Sequence, residues 1–251
     1  MSTLSVILIT KNEEKNIREC LDSVAWADEI IVVDSGSSDK TISIAQEFTP
    51  LVFVHDWPGF GIQKNRALSY ATGEWVFSID ADERVTPELK AELIQAMQVG
   101  ETDGFFCPRL SQFCGKYVRH SGWYPDYVLR LFKRNKGKFS DNLVHESLIL
   151  QGKSSKLSSP LLHYTYLNMD DVRRKVEHYS ASWAQQMYER GKKAYPVDAP
   201  VRAAWAFLRT YCFRLGFLDG SAGFQIAKMN ASTTYLKYQR LRAMQLTQAS
   251  L

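Results

Sequence analysis

No glycine stands in the turn that follows the first apolar run of this chain. LSVILIT (4–10) opens directly into KNEEKN, with no G-x-G-x-x-G after it. A dinucleotide-binding sheet needs those glycines so that the backbone can approach a pyrophosphate, and that class is set aside. Cysteine is scarce too. The four in 251 residues, Cys20, Cys107, Cys114 and Cys212, form no C-x-x-C pair. Reduced thiols in a cytosolic protein are therefore expected. No apolar run reaches about 18 residues, so no transmembrane helix is expected. LSVILIT is too short to span a bilayer and lacks a cleavage site, so it is read as a strand and not as a signal peptide. Internal repeats and low-complexity linkers are also missing.

The composition is that of a folded protein, with 45% hydrophobic and 23% charged residues. The net charge of +4 is unevenly spread. Residues 1–167 carry 18 Lys+Arg against 21 Asp+Glu, and residues 168–251 carry 13 against 6. A nearly neutral body with a basic tail points to an anionic surface as the partner of the tail. Along the first half, β-branched runs at 4–10, 29–35, 51–56 and 74–80 alternate with helical spacing at 13–27, 38–48 and 60–72. That repetition predicts an α/β class fold, a mostly parallel sheet covered on both faces by helices. A helix is predicted from Pro87 to about Gln98, strands of a mixed sheet at 102–113 and 127–140, and helix from about Asn168 onward.

Such sheets bind ligands at the carboxyl ends of their strands. Three of those ends are polar here: Thr10-Lys11-Asn12-Glu13, Asp34-Ser35-Gly36 and Asp80-Ala81-Asp82, the last followed by Glu83. Alone, a D-x-D is equally readable as a solvated corner; three polar ends in one sheet favour a site. Haloacid-dehalogenase-type phosphatases also use D-x-D, but with Thr or Val two places after the second Asp, where this chain has Arg84. Their motif closes the first strand and this one closes the fourth. Sugar transfer from a nucleotide diphosphate fits better, because a cation offsets the charge that develops on the leaving diphosphate. Mg²⁺ or Mn²⁺ would take carboxylate oxygens at a strand end, and residues i and i+2 of a strand share a face.

SVILITKNEEKNIRECLDSV, EIIVVDSGSSDKT and GFGIQKNRALSYATGEWVFSIDADERV together resemble the family-2 glycosyltransferases with a GT-A fold. SGWYPDYVLRLFKR, FSDNLVHESL and LGFLDGSAGF resemble a narrower subgroup, the lipopolysaccharide inner-core β-1,4-glucosyltransferases that modify a heptose. The resemblance implies a GT-A catalytic domain over 1–167, with a nucleotide-sugar half to about 100 and an acceptor half beyond it. A helical C-terminal extension over 168–251 would follow. It implies an inverting enzyme that moves a hexose, glucose in that subgroup, from a UDP-sugar to a heptose of the lipopolysaccharide inner core. Thr10, Asn12 and Glu13 would line the base and ribose pocket, although many relatives carry an aromatic residue where this chain has Lys11. Asp34 would accept from the uracil imide nitrogen. Lys64 and Arg66 would meet phosphate or the donor pocket, and Arg130 would hold the diphosphate or pair with Asp126. Asp80 would reach the ribose or the metal, Asp82 the cation, and His145 would complete the metal shell. Asp126 is the first choice of general base and Glu146 the second. Trp123 and Tyr124 would form a sugar-stacking wall.

Residues 199–251 hold seven Lys+Arg and one acid, Asp219, interleaved with Trp205, Phe207, Tyr211, Phe213 and Phe217. Basic residues with interfacial aromatics describe a membrane-surface segment; a helical lid or a dimer interface is the competing reading. The expected location is cytoplasmic, peripheral to the inner face of a bacterial inner membrane. Nothing resembles a nucleic-acid module, and the sequence sets no oligomeric state. The alternatives in function are another nucleotide-sugar transferase acting on a lipid-linked or polysaccharide acceptor, a haloacid-dehalogenase-like phosphatase, and a non-catalytic sugar-nucleotide binder.

Overall fold

The apolar runs near the start of the chain form the centre of a sheet because both of their faces are covered. A computed structural model describes residues 2–98, 100–140 and 147–249, with backbone alone for 248 and 249. In chain order the first elements are β1 (Leu4–Thr10), α1 (Ile17–Val24), β2 (Glu29–Asp34), α2 (Thr41–Gln46), β3 (Val52–Val54), α3 (Phe60–Tyr70), β4 (Trp75–Asp80), β5 (Glu83–Val85) and α4 (Pro87–Gln98). Then come β6 (Gly104–Phe113), β7 (Lys116–Tyr117), β8 (Asp126–Lys133), β9 (Gly137–Phe139), β10 (Leu148–Leu150), β11 (Ser154–Lys156) and β12 (Leu161–Tyr166). Three long helices complete the chain: α5 (Met169–Glu189), α6 (Asp198–Leu208) and α7 (Gly220–Ala249). The main sheet runs β3-β2-β1-β4-β8-β6-β12-β5, with β7 and β11 also paired to β6; β9 and β10 form a separate pair. Strands β3, β2, β1 and β4 are mutually parallel, and β8 joins β4 antiparallel. The architecture is the α/β class expected.

The chain divides into two units, Met1–Arg109 with Asp126–His163, and Leu110–Pro125 with Tyr164–Leu251. In the first unit the two faces of β1 go to different cores. Leu4, Val6 and Leu8 pack with Ile17, Cys20, Leu21 and Val24 of α1 and with Leu89 and Leu93 of α4. Ile7 packs with Ala67 of α3, Val76 and Phe132. This is the two-residue alternation of a strand read against two apolar layers, and the one polar side chain inside the run, the buried Ser5, is satisfied by Glu29 and by the Gly73 amide.

Several boundaries differ from expectation, each for a local reason. Helix α1 begins at Ile17 and not near residue 13 because the amides of Glu13 and Glu14 are taken by Thr41 Oγ1 (2.7 Å) and Asp39 Oδ2 (3.2 Å) of the next loop. The expected strand 127–140 breaks into β8, a 3-10 turn at Arg134–Lys136 and β9, which pairs with β10 instead of the main sheet. Gly137 opens β9, and a Cβ there would lie 2.3 Å from the Phe132 ring. The three-residue strands β5 and β11 carry no periodic pattern long enough to read, and their partners in β12 and β6 are distant in sequence.

One irregularity in the sheet places a charge inside it. The β6–β8 register passes from Phe105↔Leu131 to Phe106↔Leu129, leaving Arg130 as the extra residue of a bulge. Bulges re-aim side chains. Here the guanidinium enters the interior, where Nη2 donates to Asp80 Oδ2 at the end of β4 and to Glu83 Oε1 of β5, the latter at 2.5 Å. Glu83 is fully buried, and its other oxygen accepts from the Asp80 amide at 3.1 Å. Arg84, also buried, donates to the carbonyls of Ala81 (2.7 Å), Glu83 (2.8 Å) and Asn16 (2.7 Å), and so fixes the turn between β4 and β5.

The second unit holds α5, α6 and α7. Asn168 caps α5, its Oδ1 accepting from the amides of Asp170 (3.0 Å) and Asp171 (2.9 Å). Phe113, Val118, Val172, Ala222 and Ile226 form one core and Ala184, Ala194 and Leu241 another. Asp219, the one acid of residues 199–251, accepts from the amides of Arg119 and His120 at 3.1 Å and from Ser121 Oγ at 2.8 Å.

Replacing Arg130 strands a buried carboxylate. Arg130→Met should lower unfolding free energy by roughly 3–5 kcal/mol, the cost of breaking a buried pair from one side. Arg130→Met combined with Glu83→Gln should recover part of that loss, because no unpaired buried charge is left. Urea unfolding of the three proteins checks both outcomes; a single variant no less stable than the double one contradicts them.

Candidate active site

Loops at the carboxyl ends of β1 and β2 are stitched together by side chains. Asn12, in a left-handed conformation (φ 56°), donates its amide to Ser37 Oγ (2.7 Å) and accepts from the Ser38 amide at 2.8 Å. The buried Asp34 carboxylate accepts from the amide of Ser37 at 2.6 Å and from its hydroxyl. Gly36 (φ 78°) permits that reversal. The turn after β1 therefore has no need of glycines, since its amides find partners in the adjacent loop.

Between this stitched edge and the end of β4 lies a cavity of about 490 Å³. Thr10, Lys11, Glu13, Lys64, Asp80 and Asp82 line it, and so do Trp57, Phe60 and His163. Five of the residues expected at a site, Thr10, Glu13, Lys64, Asp80 and Asp82, are thus brought to one place. Thr10 Oγ1 is buried without a hydrogen-bond partner among the described residues, an acceptor and donor left for a ligand. Lys64 is buried on α3, with Nζ 3.3 Å from Asp80 Oδ1. Asp82 Oδ2 lies 3.3 Å from His163 Nε2. Trp57 and Phe60 stand edge to face, 4.7 Å between ring centroids, and both are largely exposed at the cavity.

Three carboxylates against two lysines make the wall electrostatically uneasy. Burial raises the Glu13 carboxyl above the ordinary range; the hydrogen bond from Asn16 opposes the rise, and the nearby charge of Asp82 adds to it. Burial would raise Asp80 as well, but Arg130 and Lys64 outweigh it and hold Asp80 far below the usual carboxylate range. Glu83 behind it goes the other way, raised by burial against the pull of Arg130.

A divalent cation would suit the remaining donors. Among the described residues no three His, Cys, Asp or Glu side chains form a ready-made metal cage. Asp82 nonetheless offers a part-exposed carboxylate beside an imidazole, with Glu13 close enough to repel it. Magnesium-type ions are commonly held by one or two carboxylates and by the phosphates of the substrate. That donor chemistry fits Asp82; Asp80 is already engaged by two cations.

The other expected residues lie elsewhere. Arg66 on α3 pairs with Asp56 (2.8 Å) and donates to Gln63 Oε1 at 3.0 Å. Arg130 sits inside the sheet on Asp80 and Glu83. Asp126 begins β8 and is held by Arg109 of β6. Trp123 and Tyr124 belong to the second unit, where Trp123 stacks on Tyr166 (5.8 Å, 29°) and Arg119 lies 5.7 Å over the Tyr124 ring. His145 and Glu146 fall outside the described residues. Trp57, Phe60 and His163 escaped the reading of the sequence. The aromatic pair brackets Pro58-Gly59, a turn signal beside two exposed rings that could have marked it; His163 is brought here by β12 pairing with β5, where it faces Glu83 in register, and no local signal announces that.

Known proteins are similar to this chain in sequence. The model of the family described as glycosyl transferase family 2 matches residues 5–157. The lipopolysaccharide core biosynthesis glycosyltransferase LpsC of Rhizobium meliloti is 32% identical over 257 residues, covering 94% of this chain and 93% of that protein. An uncharacterized glycosyltransferase of Rickettsia typhi is 28% identical over 259 residues, covering 98% and 89%. Among solved structures, S. aureus TarS 1–349 in complex with UDP-GlcNAc aligns over 98% of this chain and 92% of that one, at 15% identity and a TM-score of 0.49. The chain belongs to glycosyl transferase family 2.

Proposed function

We propose that this glycosyltransferase is inverting and cation-dependent, and that it moves a hexose, glucose in the reading favoured here, from a UDP-sugar to a heptose of the lipopolysaccharide inner core. The observation that carries the donor half is the cavity at the ends of β1 and β4, lined by a Thr10 hydroxyl without a partner among the described residues, a buried Lys64 and a part-exposed Asp82 carboxylate. The acceptor half rests on likeness to a protein named for lipopolysaccharide core biosynthesis over nearly the whole chain.

In this reading Thr10, Asn12, Glu13 and Asp34 shape the base and ribose end. Trp57 and Phe60 supply the flat apolar surface that Lys11 does not. Lys64, with Arg66 and Arg130 behind, supplies positive charge toward the diphosphate. Asp82, with Asp80 and His145, serves the cation, Mg²⁺ or Mn²⁺, which when bound would offset charge on the leaving nucleoside diphosphate. Asp126 takes the proton from the attacking acceptor hydroxyl, with Glu146 as the second candidate, and Trp123 and Tyr124 face the acceptor sugar.

The membrane reading belongs to the second unit. Val201, Trp205, Phe213 and Leu218 are 64%, 55%, 70% and 56% exposed, and Arg202, Arg209 and Arg214 lie among them in sequence. No helix of the described residues is long and apolar enough to cross a membrane. An amphipathic surface of this kind suits the interface of an anionic bilayer, as a peripheral enzyme on the cytoplasmic face would need.

Incubating the protein with a panel of nucleotide sugars and truncated core acceptors, then determining product mass and linkage, tests the whole assignment; no heptose-linked product from any UDP-sugar overturns it. Asp82→Asn should keep the fold and lose activity by at least the roughly 10–100-fold seen when an outer-shell partner of a metal site is removed. Turnover equal to wild type with Mg²⁺ or Mn²⁺ removes Asp82 from the cation. Asp126→Asn should bind UDP-sugar normally yet lose roughly 10²–10⁴-fold in transfer; if Glu146→Gln alone does so, the two roles are exchanged. Trp205→Ser with Phe213→Ser should reduce sedimentation with anionic vesicles without lowering thermal stability, and binding of the parent should fall with salt. These point changes are preferable to truncation near Pro200, which would strip Ile226 and Leu241 from their cores.

A further inference from the structure

The carboxylate assigned as base is gripped from one side. Asp126 is the register partner of Arg109 across β8 and β6. Arg109 Nε (3.0 Å) and Nη2 (2.5 Å) both donate to the same oxygen, Asp126 Oδ2. Oδ1 accepts no hydrogen bond from the described residues, and the Asp126 side chain is 46% exposed. On its other side Arg109 has a second carboxylate: Nη1 lies 3.7 Å from Glu83 Oε1. Glu83 in turn holds Arg130, which holds Asp80, whose other oxygen meets Lys64 at the cavity wall. Six charges of alternating sign thus run from Lys64 to Asp126.

We infer that Arg109 is a positioning residue for the base. This rests on the reading of Asp126 as that base. Two N–H groups on one oxygen anchor Oδ2 and leave Oδ1 as the one open acceptor of the carboxylate. In the transfer step the acceptor oxygen bonds to the anomeric carbon as its proton passes to Oδ1. The bond from that carbon to the donor phosphate oxygen breaks, and its electron pair leaves with UDP. Asp126 becomes neutral at that moment, which would strand most arginines paired with a carboxylate. Arg109 is not stranded, because Glu83 remains as its counter-ion. The two-carboxylate arrangement therefore lets the guanidinium stay in place while its first partner changes charge.

The test uses the full chain with UDP-glucose and a heptose-terminated core oligosaccharide. Arg109→Gln should lower kcat by roughly 10–100-fold, less than loss of the base itself, while KM and affinity for UDP-glucose stay within about twofold. Arg109→Lys, which keeps the charge without the fork, should fall between. Guanidinium chloride, added to Arg109→Ala below denaturing concentrations, should restore part of kcat. A purely structural arginine would give no such rescue, and its loss would lower thermal stability and donor affinity along with rate. Wild-type kcat in Arg109→Gln, or a loss shared equally with UDP-glucose affinity, overturns the inference. If Arg109→Ala does not fold, Arg109→Lys decides: wild-type kcat or lost donor binding there also overturns it. Asp126→Asn separates the two ideas. Full transfer by Asp126→Asn removes the base reading, whereas lost transfer in Asp126→Asn beside normal kcat in Arg109→Gln removes only the role of Arg109.

Discussion

A guanidinium buried between two carboxylates is the constraint on which the first unit of this protein depends. Arg130 reaches Asp80 and Glu83 through a single nitrogen, and neither it nor Glu83 has appreciable access to water. Charges so placed are tolerable only when all are present in the right geometry. The consequence is rigidity. Strands β4, β5 and β8 are fixed relative to one another at the point where the cavity begins. The turn carrying Asp82 is then held by Arg84 on three carbonyls, so the part-exposed Asp82 carboxylate projects from a braced turn. Stability and site share these residues, and a change in one cannot be neutral for the other.

Much of this is legible in the sequence. Continuous apolar strands such as LSVILIT and EIIVVD required cover on both faces, and both faces are covered by helices. The three polar strand ends do meet at or beside the cavity, because parallel strands with covered faces leave only their ends free. What could not be read is equally physical. The rule that residues i and i+2 share a face holds inside a strand, but β4 stops at Asp80. Asp82 lies in the turn beyond, and the two aspartates have separate partners, Lys64 and Arg130 for one and His163 for the other. The bulge that aims Arg130 inward leaves no mark in YVLRLFK, which reads as an ordinary strand. Strands of three residues, such as ERV at 83–85, owe their existence to partners far along the chain, here Leu161–His163.

Arg84 illustrates how one residue can carry both kinds of information. At the level of sequence it counts against a dehalogenase-type phosphatase, whose motif has Thr or Val there. In the structure the same side chain is why the turn is possible. A Thr or Val at that position would leave the carbonyls of Asn16, Ala81 and Glu83 without their shared donor. The motif differs because the turn it braces differs.

The cavity wall also shows how an anionic donor can be received by a site that already holds three carboxylates. Lys64 and Lys11 are the cations that line it, and Lys64 faces Asp80 at 3.3 Å. If Lys64 turned toward a phosphate, an isolated Asp80 would be left as a repelling charge beside the ligand. Asp80 is not isolated, since Arg130 holds its other oxygen from inside the sheet. In the proposed reading, carboxylate neutralisation and phosphate recognition are divided between two cations, Arg130 inside the sheet and Lys64 at the cavity wall. A lone Asp–Lys pair at that strand end would have to surrender one function to perform the other. In that reading the second cation, delivered by a bulge in β8, removes the conflict.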